Sequence, residues 1–198
     1  MNRSLALLVL GWALASPAQQ SRPVHPSGPS NPAQDSQLYR NSTLGFGYRI
    51  PFGWVDRTKD MQEGSEAGKG EILLAIFERP PQAAGDTVNS AVVIATESAS
   101  SYPGLKTAAD YVGPLNEVTA AKGFKSAGDP TEVTIDGRTL VRADFVKALS
   151  EKLTMHQTTL VMLAKGQIVS FTFIAGGEEE VDDLIDGLSL AAQRSRPH

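Results

Sequence analysis

The stretch "LGFGYRIPFGWVDRT", Leu44 to Thr58, crowds aromatic residues, three glycines and a proline into fifteen positions. Alternation puts Phe46, Tyr48 and Ile50 on one face of a short strand, the pattern of a half-buried β-element. Pro51 and Gly53 then break the strand into a turn that drops Trp54 back onto the sheet. The aromatic density therefore marks the opening strand and turn of a β-rich fold rather than a ligand surface.

Upstream, the chain opens "MNRSLALLVLGWALASPA". Arg3 precedes an apolar run from Leu5 to Leu14, and small residues at Ala13, Ala15, Ser16 and Ala18 follow. This is the pattern of a secretory signal peptide over residues 1–18, with cleavage at Ala15 or Ala18. The run falls short of the roughly twenty apolar residues a membrane span needs. Residues 19–38 are rich in Pro, Ser, Gln and Asn, too polar to bury a core, and read as a spacer. One domain is expected over residues 39–192, followed by a short tail at 193–198. A cleaved, exported chain would be periplasmic or secreted.

Composition narrows the chemistry. The chain carries 18 Lys and Arg against 22 Asp and Glu, a formal net charge of −4. A mildly acidic domain lacks the basic face that nucleic-acid binding by phosphate neutralisation requires. The absence of cysteine removes thiol nucleophiles, thiolate metal ligands, disulfides and a lipid-modified cysteine anchor. Cysteine-free export favours a bacterial envelope setting.

Downstream, Glu71–Glu78 ("EILLAIFE") and Ser90–Thr96 ("SAVVIAT") read as strands covered on both faces. In "TEVTIDGRTLVRADFVK", Asp136-Gly137 is a two-residue hairpin turn, because both positions need positive φ. Ala164–Gln167 is a second such turn. Together they predict a four-strand antiparallel meander from Thr131 to Ala175, with Val169, Phe171 and Phe173 sharing a face. Two helices are predicted. Thr107–Lys122 has an apolar stripe, a capping pair Thr107/Asp110 and a terminal Gly123, with Pro114 kinking it or marking where its regular part begins. Glu178–Ala192 carries Val181, Leu184, Ile185 and Leu188 as its stripe and three glutamates at its positive end. The fold class is α+β, a mostly antiparallel sheet flanked by helices.

The opening stretch, through Phe46, Tyr48, Pro51 and Trp54, resembles the start of the PsbP-like superfamily, which includes the DcrB-like envelope proteins and photosystem II extrinsic proteins. "GQIVSFTFIA" and "EEEVDDLIDGLSLA" resemble that family's late strand and closing helix. The resemblance implies an α/β/α sandwich and a binding, assembly or envelope-associated role. It brings no common catalytic residues.

Signatures of catalysis are sparse. His25 lies in the spacer, His198 ends the chain, and His156 sits in a strand whose neighbours supply no partners for it. No nucleophile elbow, phosphate loop, dinucleotide fingerprint or H-E-x-x-H occurs. The acidic residues from Glu178 to Asp186 fan around a helix rather than converging on a cation. The segment Asp56–Glu71 reads as a long polar loop, and Asp56, Asp60, Glu63 and Glu66 in it, with Tyr102 in a turn, are the candidate partner contacts. The sequence reading is thus a non-catalytic binding or assembly module without cofactor or metal, whose partner is another envelope protein. The alternative is an enzyme or a small-ligand or metal-binding protein with a site of scattered Ser, Thr, Asp and Glu residues.

Overall fold

A computed structural model describes residues 37–63, 70–80 and 86–190. The signal-peptide and tail assignments, most of the spacer, and Glu66 fall outside them. The strand β1 (Gln37–Asn41) pairs with β2 (Phe46–Ile50), so Gln37 and Leu38, which the sequence reading gave to the spacer, belong to the fold. On β2, Phe46 and Tyr48 are 4% and 0% exposed, and Ile50 packs against the same core. The turn that follows forms as expected: Gly53 has φ +81°, and the Trp54 N–H reaches the Pro51 carbonyl at 3.4 Å. Trp54 packs on the core while Phe52, at the tip, is 81% exposed.

Among the described residues, the main sheet has eight strands: β3 (Val55–Asp56), β4 (Glu71–Phe77), β5 (Ala91–Ser98), β6 (Lys125–Ser126), β7 (Thr131–Ile135), β8 (Arg138–Ala148), β9 (Thr154–Ala164) and β10 (Gln167–Ala175). Their spatial order is β3-β4-β5-β10-β9-β8-β6, with β7 also on β8, and every pairing is antiparallel. The meander from β7 to β10 is as the sequence predicts. Its turns close through Asp136 (φ 49°) with Gly137 (φ 77°), and Lys165 (φ 52°) with Gly166 (φ 76°). This doubly left-handed geometry matches the twist of the flanking strands. Val169, Phe171 and Phe173 line one face and are fully buried.

Each face of this sheet is covered. On one side lie Tyr111, Leu115 and Phe124, from the helix α2 (Val112–Ala121) and its flanks, against Ala143, Phe145, Val161 and Ile168. The predicted helix from Thr107 is shorter: a 3-10 turn at Ala109–Tyr111 precedes α2. Pro114 falls in the first turn of α2, where backbone N–H groups have no intrahelical acceptor, so the ring costs no hydrogen bond. Ahead of it, Asp110 Oδ2 accepts from the N–H groups of Lys106 and Thr107 and from Thr107 Oγ1, which holds its carboxyl below the usual range.

The other face carries α3 (Glu178–Ile185) and a three-stranded sheet in the order β1-β2-β11, where β11 is Leu188–Leu190. The expected helix to Ala192 therefore stops seven residues short. Leu188 and Leu190 satisfy a strand period as well as a helical one, and pairing with β2 buries both. The switch occurs at Gly187. A methyl group there would lie 3.0 Å from two carbons of the buried Tyr48 ring and 3.2 Å from the Leu184 carbonyl. Gly187→Ala is expected to destabilise the domain by about 1–2 kcal/mol, since the ring has no free space to give. Urea denaturation with an unchanged slope is the measurement that checks it.

The polar segment before β4 also differs from expectation. Thr58–Glu63 forms a short helix, α1, instead of a structureless loop. The Asp56 carboxylate accepts the Thr58 N–H at 2.8 Å, which starts the turn. Thr58 Oγ1 accepts the Ala75 N–H at 2.9 Å, and Gln62 donates to the Ile72 carbonyl at 2.6 Å, fastening α1 along the edge of β4. Among the described residues, no helix is long and apolar enough to cross a membrane.

Candidate functional site

A cleft of about 450 Å³ opens where the edge of the small sheet faces the edge of the large one. Tyr39 of β1 forms one wall, Leu73 and Leu74 of β4 the floor, and the segment Asp56–Asp60 with Gln62 the other wall. The floor depends on a β-bulge: the β4–β5 register shifts between Ile72 and Leu74. Ile72 faces the far side of the sheet, and the extra residue lets both Leu73 and Leu74 pack against the core between the sheets. Tyr39 enters from above, with its ring 5.9 Å from that of Phe46. At the rim, Arg57 binds Asp60, and Lys59 is exposed. The result is an apolar slot with a rim of both charges.

Of the sequence candidates, the structure brings Asp56 and Asp60 to this cleft. Glu63 is exposed at the end of α1 and does not line it. Tyr102 lies elsewhere. It is half-buried beneath the 3-10 turn Ala99–Ser101, its ring edge-on to Tyr111 at 5.2 Å. Tyr102 donates to Glu97 Oε2, and Tyr111 donates to Glu97 Oε1 at 2.7 Å. One carboxylate thus ties the segment leading into α2 to the end of β5.

Burial, reinforced at Tyr102 and Tyr111 by the Glu97 charge, raises the hydroxyl pKa of Tyr48, Tyr102 and Tyr111 well above the ordinary tyrosine value. Stabilisation from these neutral hydroxyls is complete below the unfolded tyrosine value of about 10 and declines as pH rises beyond it. A stability–pH profile should therefore fall above that point. The Tyr102→Phe/Tyr111→Phe double variant should fall less.

A second polar cluster lies under α3. Arg142 pairs with Asp144 at 3.0 Å and Asp182 at 2.8 Å, Thr158 donates to Asp144, and His156 Nδ1 is 3.8 Å from Glu178. These groups partner one another across the β8–β9–α3 seam. Among the described residues, no group of three or more His, Asp or Glu side chains is placed to hold a metal ion.

Tyr39, Lys59, Leu73 and Leu74 escaped sequence reasoning. The bulge and the meeting of two sheet edges leave no local pattern. Only the exposed polar run after Trp54 hinted at the place.

The architecture, an antiparallel sheet with helices on one face and a helix and small sheet on the other, is similar to the PsbP fold. The solution structure of cyanobacterial PsbP (CyanoP) from Synechocystis matches with a TM-score of 0.52 at 13% identity, over 82% of this chain and 98% of that one. PA94 from Pseudomonas aeruginosa matches at 0.42 and 19% identity, over 82% and 98% of the two chains. LpqN of Mycobacterium tuberculosis, a protein involved in cell envelope biogenesis, matches at 0.40 and 13% identity, over 81% and 88%. No protein-family model matches the chain, and no curated protein matches it in sequence. The likeness is one of fold, as the opening Phe46, Tyr48, Pro51 and Trp54 predict.

Proposed function

We propose that the chain is an exported, non-catalytic binding or assembly module of the bacterial cell envelope, and that it takes a protein partner at the cleft between its two sheet edges. The observation that carries this reading is the cleft itself. It joins an apolar floor (Tyr39, Leu73, Leu74) to a rim of both charges, with one wall built from the polar segment that the sequence singles out. A slot of this composition suits a side chain presented by a macromolecule: apolar contact supplies affinity and the charged rim orients it. The polar groups gathered elsewhere are engaged in holding the fold together, at Glu97 and at Arg142. The signal-like N-terminus and Pro-rich spacer suit a domain that reaches a partner beyond the cytoplasm.

The test is affinity capture from envelope extracts with the wild-type chain and a Lys59→Glu/Asp60→Lys variant. Both positions are exposed, so the variant should keep the wild-type melting temperature within a few degrees. A partner recovered by wild type and depleted at least about fivefold with the variant is the expected result, equivalent to roughly 1 kcal/mol at the rim. Equal recovery from both would remove the cleft from the account.

A further inference from the structure

Among the described residues, four edges terminate the two sheets, and they are not treated alike. The outer edge of β4 is closed beyond β3 by α1. Arg57 N–H donates to the Ala75 carbonyl, Thr58 Oγ1 accepts the Ala75 N–H, and Gln62 donates to the Ile72 carbonyl. The β11 edge is tied down by the Asp136 carboxylate, which accepts the Leu190 N–H at 2.8 Å. At the far side of the large sheet, β7 bears Glu132 and lies away from the cleft. The fourth edge, β1, is exposed along most of its length and borders the cleft at Tyr39. Natural proteins usually protect such edges because they template strand pairing.

The direction of the β1 backbone groups follows from its neighbours. Leu38 pairs with Arg49, and the Arg49 N–H donates away from β1, to the Gly187 carbonyl at 2.9 Å. Leu38–Arg49 is therefore a non-hydrogen-bonded pair, and the Leu38 N–H and C=O point to the open edge. Two residues on, those of Arg40 do the same. The side chains divide the other way. Tyr39 turns inward to the cleft, and Leu38, 44% exposed, lies with Arg40 and Arg49 on the outer face. Neither arginine forms an ion pair among the described residues, on a chain whose net charge is −4.

We propose that β1 is a strand-addition site. An extended segment of another polypeptide pairs with the backbone of Leu38 and Arg40, sends its inward side chains into the cleft, and sets acidic side chains against Arg40 and Arg49. Main-chain bonds then supply affinity, and the slot and the arginines supply selectivity. This rests on the cleft being a partner site and adds the partner's conformation and charge.

The probe is a displayed library of random heptapeptides, selected on the full chain, with the best sequence resynthesised for titration. Alternating peptides with Asp or Glu in the outward phase should emerge. Arg40→Pro removes an outward N–H without touching the ladder to β2, and edge strands tolerate such a proline. It should weaken binding about tenfold or more, whereas Arg40→Ala should cost only about threefold. As a readout that needs no variant, bound peptide should slow amide exchange at Leu38 and Arg40 in the wild-type chain and leave Tyr39 unchanged.

Peptides sensitive to Lys59→Glu/Asp60→Lys but indifferent to Arg40→Pro, with no new protection at Leu38 and Arg40, would overturn strand addition and leave the cleft reading standing. Selection of no peptide, or self-association through β1 that Arg40→Pro abolishes, would overturn the proposed occupant.

Discussion

Tyr48→Ala should lower the unfolding free energy by about 4 kcal/mol, enough to threaten folding in a domain of ordinary stability. Tyr48 is fully buried, and it joins β2 to the C-terminal end of α3. Its ring lies 6.2 Å from that of Phe173 and fills the space that Gly187 leaves open. Its hydroxyl donates to the Leu184 carbonyl at 3.0 Å, at the C-terminal end of α3. Alanine would lose the ring's transfer energy and leave a cavity between β2, β10 and α3. Tyr48→Phe separates the two contributions. The Leu184 carbonyl would keep the Gly187 N–H at 3.2 Å, so deleting the hydroxyl should cost only about 1 kcal/mol. Urea unfolding of the three proteins, with equal slopes, reads both numbers.

Phe171→Ala is the second large effect, again about 4 kcal/mol. Phe171 is fully buried at the middle of β10, between β5 and β9. Its ring meets Phe46 edge-on at 5.1 Å and 90°, so the central strand of the large sheet touches the first core residue of the small one. If this contact couples the sheets, a double-mutant cycle with Phe46→Ala should return about 1 kcal/mol of interaction energy. Strict additivity would mean that the two sheets are held by burial alone.

These residues also show which parts of the fold a sequence can display. Phe46, Tyr48, Phe171 and Phe173 were legible because strand alternation is local, and Asp136-Gly137 and Lys165-Gly166 because a two-residue turn is specified by its own φ angles. The end of α3 was not legible. Leu184, Ile185 and Leu188 fit a helical stripe, and only the approach of Tyr48, distant in sequence, tells the chain to straighten after Gly187. The helix α1 was hidden for a similar reason: five polar residues and the single apolar Met61 show no apolar period, and the bonds that hold them run to Ile72 and Ala75. For the cleft, Asp56 and Asp60 were visible as exposed polar groups. The slot they border was not, because it arises from the bulge at Leu73 and from Tyr39 arriving on a different sheet.

The proposed function requires a partner held at this cleft. Its most direct test is site-specific photocrosslinking in the cells that make the protein. A photoactivatable residue replaces Lys59 at the rim, or Glu117, which is exposed on α2 across the large sheet. One discrete crosslinked product is expected from position 59 and none from position 117. The same products from both positions, or none from position 59, would contradict the proposed function.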